Sequence, residues 1–146
     1  SVINFKQDNY SQSVKNVIRG MHYQISPYPQ SKLIRCTRGR ILDVIVDLRT
    51  KSETFGSWGS VELSEDNFLQ LWIPKGFAHG FLALDEINNV MYKTDFFWVR
   101  KYERCIAWDD QSIGINWGRN KKDLKISKKD LSSLSFKEIE KRDLIF

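Results

Sequence analysis

Short strand-like runs, each closed by glycine, proline or a polar turn, recur along most of this chain and leave little room for helix. Stretch 2–8 reads as a first strand and 9–16 as a polar connection. In Val17–Gln24 a partial period of two puts Ile18, Gly20, His22 and Gln24 on one side, so a strand carries His22 and Gln24 on the same face. Ser26-Pro27-Tyr28-Pro29 is a loop, because proline cannot donate to a central ladder. Strands follow over 32–36, closed by Gly39, and over 41–48, 60–63, 69–74, 80–84 and 89–94. Stretch 52–59 is turn-like, and Pro74-Lys75-Gly76 makes a tight turn ahead of His79. Asp43 stands among apolar neighbours and needs a partner if it is buried. Residues 131–146 carry a weak helical pattern through Phe136, Ile139 and Leu144. This punctuation predicts an all-β domain, a β-sandwich or jelly roll.

The 146 residues suit one domain, long enough to bury about two-thirds of the unfolded surface. Hydrophobic residues make up 41% of the chain, with 5 Trp, 5 Tyr and 9 Phe, which argues against a disordered chain. No apolar run approaches the roughly 20 residues that span a bilayer, and Ser1-Val2-Ile3-Asn4-Phe5-Lys6 is not a signal peptide, so the expectation is a cytoplasmic protein away from the membrane. Cys36 and Cys105 lack ligand-like neighbours; one bridge between them is conceivable, and two free thiols fit better. The segment 118–129 holds six basic residues and one acid, which accounts for the whole net charge of +5. So local a cluster, without interleaved stacking residues, reads as a solvated rim and not as a nucleic-acid surface.

Chemistry centres on two histidines. His22 lies in Arg19-Gly20-Met21-His22-Tyr23-Gln24 and His79 in Pro74-Lys75-Gly76-Phe77-Ala78-His79-Gly80. Imidazole exchanges protons near neutral pH with little tuning. A metal site of two histidines and one carboxylate would draw on His22, His79 and either Asp43 or Glu62. Against it, Gln24 stands where a His-x-His ligand pair needs histidine. Metal-free proton transfer is the stronger reading, with His22, Lys32, Tyr92 and an orienting carboxylate as its inventory. Each also has a plain alternative, wall packing for the tyrosine and solvent exposure for the lysine.

Several stretches, in order, resemble the dTDP-4-dehydrorhamnose 3,5-epimerase family of metal-free cupins. They are Phe5-x-Gln7-Asp8-Asn9, 17–24, Lys32-Leu33-Ile34-Arg35, 43–49, Thr54-Phe55-Gly56-x-Trp58, 70–81 with its Pro74-x-Gly76-Phe77-Ala78-His79-Gly80 core, Tyr92-Lys93, Trp108-x-Asp110 and Ile126-Ser127-x-Lys129-Asp130. The resemblance implies a cupin, that is, a jelly-roll β-barrel with a short C-terminal helical tail, over 1–146 as one domain without the N-terminal strands usual in the family. It implies no cofactor, a homodimer, and a nucleotide-linked 4-keto-6-deoxyhexose substrate (dTDP-4-dehydro-6-deoxyglucose) inverted at C3 and C5. By the same resemblance His22 is the base, Asp130 its paired carboxylate, Lys32 the enolate-stabilising cation and Tyr92 the acid on the opposite face. His79 and Asp43 match pocket positions, and Gln7, Asn9 and Arg19 match positions around the nucleotide diphosphate. Trp98 stands where the family usually has a tyrosine near the base, keeping an aromatic face without the phenol. Inversion at a single carbon, another nucleotide sugar, and a non-catalytic sugar-nucleotide binder are the competing expectations.

Overall fold

A computed structural model describes residues 2–146. Eight longer strands carry the fold: β1 (Gln7–Val14), β2 (Val17–Gln24), β3 (Lys32–Arg38), β4 (Arg40–Asp47), β5 (Trp58–Ser64), β6 (Gln70–Ile73), β7 (Phe77–Ala83) and β8 (Ile87–Thr94). Two short ones, β9 (Glu103–Cys105) and β10 (Lys125–Ile126), follow. They form a four-stranded sheet ordered β1-β8-β3-β6 and a six-stranded sheet ordered β10-β2-β7-β4-β5, with β9 also paired to β2.

The period of two explains how the sheets meet. On β4, Ile41 and Ile45 point to one side and Val44 and Val46 to the other. Ile41 joins Ile34, Leu63, Phe81 and Val90 in a core between the sheets. Val44 and Val46 join Met21, Leu82, Trp108, Trp117 and Ile139 in a second core on the outer face. The larger sheet is therefore covered on both faces, by the smaller sheet inside and by residues 106–146 outside. The smaller sheet's outward rows, Asp8-Lys93-Leu33-Trp72 and Tyr10-Met91-Arg35-Gln70, follow from the strand registers. Tyr10 and Trp72 are exposed there.

The expected jelly-roll β-barrel is corrected. Each sheet has two free edges in its pairing order, and neither closes on itself or on the other. Closure needs a hydrogen-bonded ladder across the edges; β5 and β6 are joined by a turn but do not pair. The fold is an open two-sheet sandwich with a short helical tail, α1 (Lys128–Leu131) and α2 (Phe136–Lys141). Ser135 and Glu138 form a capping box on α2, and Phe136 and Ile139 are its buried residues.

Two element expectations also change. The first strand is Gln7–Val14 and not 2–8, so most of the supposed polar connection is strand, paired with β8 along its length. Its inward side chains line a polar cavity and its outward ones face solvent, so neither face needs apolar residues. His79 lies inside β7, which begins at Phe77. The basic residues of 118–129 are all exposed, as a solvated rim requires. Both cysteines are free, and among the described residues no helix is long and apolar enough to cross a membrane.

Candidate active site

The space between the sheets is apolar at one end and open at the other, where a cavity of about 540 Å³ is lined by polar side chains from both sheets. The six-stranded sheet contributes Arg19 and His22 from β2 and His79 from β7; the four-stranded sheet contributes Lys32 from β3 and Tyr92 from β8.

Arg19 and His22 are three residues apart, which strict alternation would put on opposite faces. The β2–β7 register resolves this: Arg19 pairs with Phe81 and His22 with His79, so three steps along β2 match two along β7. The extra residue is a bulge, which re-aims side chains. Gly20 and Gly80 make it possible. Gly20 has φ +123, and a Cβ on it would lie 2.6 Å from Gly80 Cα. A Cβ on Gly80 would lie 2.6 Å from the Arg19 carbonyl oxygen. Ile18, expected on the face of His22, is turned to the outer core, while Gln24 stays in step with His22 beyond the bulge; its amide donates to the carbonyls of Tyr28 and Phe97 and accepts from Val99 N–H.

His22 Nε2 lies 2.7 Å from Asp130 Oδ1. Asp130 is buried, its Oδ2 accepts from Gly20 N–H, and its own N–H donates to Ser127 at the start of α1. Burial pushes the Asp130 carboxyl up, but His22, Gly20 N–H and the Ser127 hydroxyl together outweigh it and hold it below the usual carboxylate range. A second pair lies alongside, His79 Nε2 at 2.9 Å from Asp43 Oδ2, with Asp43 fully buried. Asp43 Oδ1 has no hydrogen bond among the described residues.

Lys32 is 8% exposed, and burial lowers its ammonium to about 8 against the opposing pull of Glu103 and Asp43. It pairs with Thr94 across β3 and β8, two residues along from Tyr92 on the same inward face. Burial and the Glu103 charge raise the Tyr92 phenol, with Arg19 opposing, so the hydroxyl keeps its proton at neutral pH.

At the mouth, Gln7 donates to Asn9 Oδ1 and accepts from the Trp98 backbone N–H, which ties β1 to the half-exposed Trp98. Arg19 donates to the Ser13 hydroxyl and the Gln12 carbonyl oxygen. Of the ten residues singled out in the sequence, eight line the cavity, while Asp43 and Asp130 stand behind the two histidines. Among the described residues the donor atoms of His22 and His79 are not gathered with Asp43 or Glu62 at ligand spacing, and Glu62 is exposed and pairs with Arg40. Glu103 is among the lining residues that sequence reading missed, with Ser11, Gln30 and Thr94. It bonds Lys129, and only the fold carries a residue after the aromatic cluster 96–98 to the side of Lys32.

The family model for dTDP-4-dehydrorhamnose 3,5-epimerase matches residues 1–138. The chain belongs to that family. Among its curated relatives, the epimerase of Shigella flexneri is 52% identical over 115 residues, 79% of this chain and 64% of the relative. That of Pseudomonas aeruginosa is 47% identical over 134 residues, 92% of this chain and 73% of the relative. The chain thus spans somewhat under two-thirds of the Shigella member's length. A solved family structure from Legionella pneumophila, in complex with dTDP-4-keto-L-rhamnose, superposes with TM-score 0.93 at 39% identity over 99% of this chain and 76% of its own. A 3'-monoepimerase from Streptomyces bikiniensis, in complex with dTDP-quinovose, superposes with TM-score 0.89 at 28% identity over 98% and 72% of the two chains.

Proposed function

We propose that this chain is an epimerase of a dTDP-linked 4-keto-6-deoxyhexose, inverting C3 and C5 beside the C4 ketone. The observation that carries the reading is a histidine–carboxylate pair and a protonated tyrosine entering one cavity from opposite sheets, with a buried lysine on the tyrosine's side.

The chemistry follows from charge. His22 removes the proton from the carbon next to the ketone, and Asp130 stabilises the imidazolium and fixes its tautomer. The electron pair moves into the carbonyl, and the oxyanion is met by the Lys32 ammonium, whose burial strengthens the contact. Tyr92 donates its proton to the opposite face of the carbon and is reprotonated from solvent. Both C3 and C5 are acidified by the same ketone, so one set of groups serves both after the ring turns over. Asp43 orients His79 in the network around the sugar, while Arg19, Gln7, Asn9 and Trp98 hold the nucleotide end. The steps invoke no cofactor. A homodimer is part of the same proposal, with a second copy covering the outward rows of the four-stranded sheet.

Incubation with dTDP-4-dehydro-6-deoxyglucose in deuterated water tests the reaction. Deuterium entering at both carbons with inversion is the expected result. Exchange at C3 alone would favour the second reading, a single-carbon epimerase, which the likeness to the Streptomyces 3'-monoepimerase keeps in view. No exchange would leave a binding protein.

A further inference from the structure

Cys105, at the end of β9, lies directly across from His22 in the β2–β9 register. Its Sγ is 3.9 Å from Asp130 Oδ1, the same oxygen that holds His22 Nε2 at 2.7 Å. One ligand atom from each of these three residues falls within 4.8 Å of the others. A nitrogen, a thiol sulfur and a carboxylate oxygen so gathered are the donor types that tetrahedral zinc takes.

We infer that His22, Cys105 and Asp130 form a binding site for a thiophilic divalent ion such as Zn²⁺, in which the metal acts as an inhibitor and not as a cofactor. Tetrahedral zinc with its usual bond lengths separates such donors by roughly 3.3–3.6 Å. The His22–Asp130 contact must open by about 0.6 Å, the Cys105–Asp130 contact close by about 0.3 Å and the His22–Cys105 separation, within 4.8 Å, close by up to about 1.2 Å, shifts that side-chain rotations supply. Gly20 N–H already occupies Asp130 Oδ2 and leaves Oδ1 for the metal. His22 and Asp130 both line a second cavity, of about 420 Å³, beside Ile126 and Lys129, so the fourth position opens toward it and takes water. Burial holds the Cys105 thiol up at about 12, so an arriving metal competes with a proton, and a strongly binding soft ion is required. With Asp130 ionised, Nε2 carries the ring proton and Nδ1 the lone pair, so a metal on Nε2 takes the carboxylate away and puts a positive charge on the ring whose Nδ1 must accept a proton; that consequence rests on the proposed function, whereas binding does not.

The test is a titration of the whole protein with Co²⁺, a spectroscopic stand-in for Zn²⁺, without substrate. One equivalent should bind with tetrahedral d–d bands and a thiolate-to-cobalt charge-transfer band. Cys36, buried on β3 with its thiol directed at the Arg38 and Gly39 carbonyls, serves as the control, and Cys36→Ala should bind as the parent does. Cys105→Ser should lose the charge-transfer band and weaken binding at least tenfold, about the loss seen even for supporting groups. In parallel, Zn²⁺ should suppress deuterium exchange into the nucleotide sugar in the parent and not in Cys105→Ser at the same free metal. A parent without the charge-transfer band, or a Cys105→Ser protein that keeps it, overturns the site. Binding that depends on Cys105 while exchange continues unimpeded upholds the site and removes His22 from the role of base.

Discussion

At the residue scale, two substitutions separate abstraction from delivery of the proton. His22→Ala should abolish exchange at both carbons, a loss of about 10²–10⁴ for a positioned base. Tyr92→Phe keeps shape and leaves Lys32 and His22 in place, so deuterium should still wash in while net inversion falls by about 10²–10⁴. NMR in deuterated buffer reads the exchange-to-inversion ratio; an unchanged ratio in Tyr92→Phe would return Tyr92 to wall packing. Lys32 sets a pH limit. Its ammonium, lowered by burial to about 8, should be needed charged, so kcat/KM should decline above about pH 8. Tyr92, raised by burial, keeps its proton there and does not account for the limb. Lys32→Met should lower the rate by about 10²–10³, as loss of an oxyanion donor does. Stability has the matching sign: between about 8 and the ordinary lysine value of about 10.4 the unfolded lysine holds a proton that the folded one has shed. The lysine's unfavourable contribution therefore fades as pH rises, and thermal melts of parent against Lys32→Met should converge across that window.

At the element scale, the site depends on where two strands nearly touch. Gly80→Ala would set a methyl 2.6 Å from the Arg19 carbonyl oxygen and 2.7 Å from Met21 Sδ. It should destabilise by about 1–3 kcal/mol and disturb the bulge that turns Arg19 and His22 to one face, visible as a lower midpoint in urea and a raised KM. The same stretch marks what could be read in advance. Strands with one buried face, such as β3 and β8, were legible because burial imposes a period of two, and β4, buried on both faces, as a continuous apolar run. Strand β1 was not, since a polar strand beside a polar cavity has the composition of a loop. The face of Arg19 was not legible either, because one inserted residue reverses the alternation and only the β7 partner reveals it. Asp130 was reached through family likeness alone; nothing local links it to a histidine 108 positions earlier.

At the scale of the whole molecule, the sandwich is lopsided. Its larger sheet is covered on both faces, while the smaller presents Tyr10 and Trp72 outward. Phe97 and Trp98 are also about half exposed. Sedimentation at micromolar concentration should therefore give a dimer, and a clean monomer would defeat that assignment. The layer over the larger sheet has a further consequence. Because Asp130 sits in that late-sequence layer while His22, Lys32, His79 and Tyr92 precede it, the parts of the cavity are not born together. A ribosome completes the strands that carry the histidines, the lysine and the tyrosine before it reaches Asp130. Until Asp130 has been added and has docked, His22 has no carboxylate to steady a positive charge. On the proposed roles, proton chemistry waits until the segment that carries Asp130 has emerged and docked, so a stretch translated after the strands completes the site they begin.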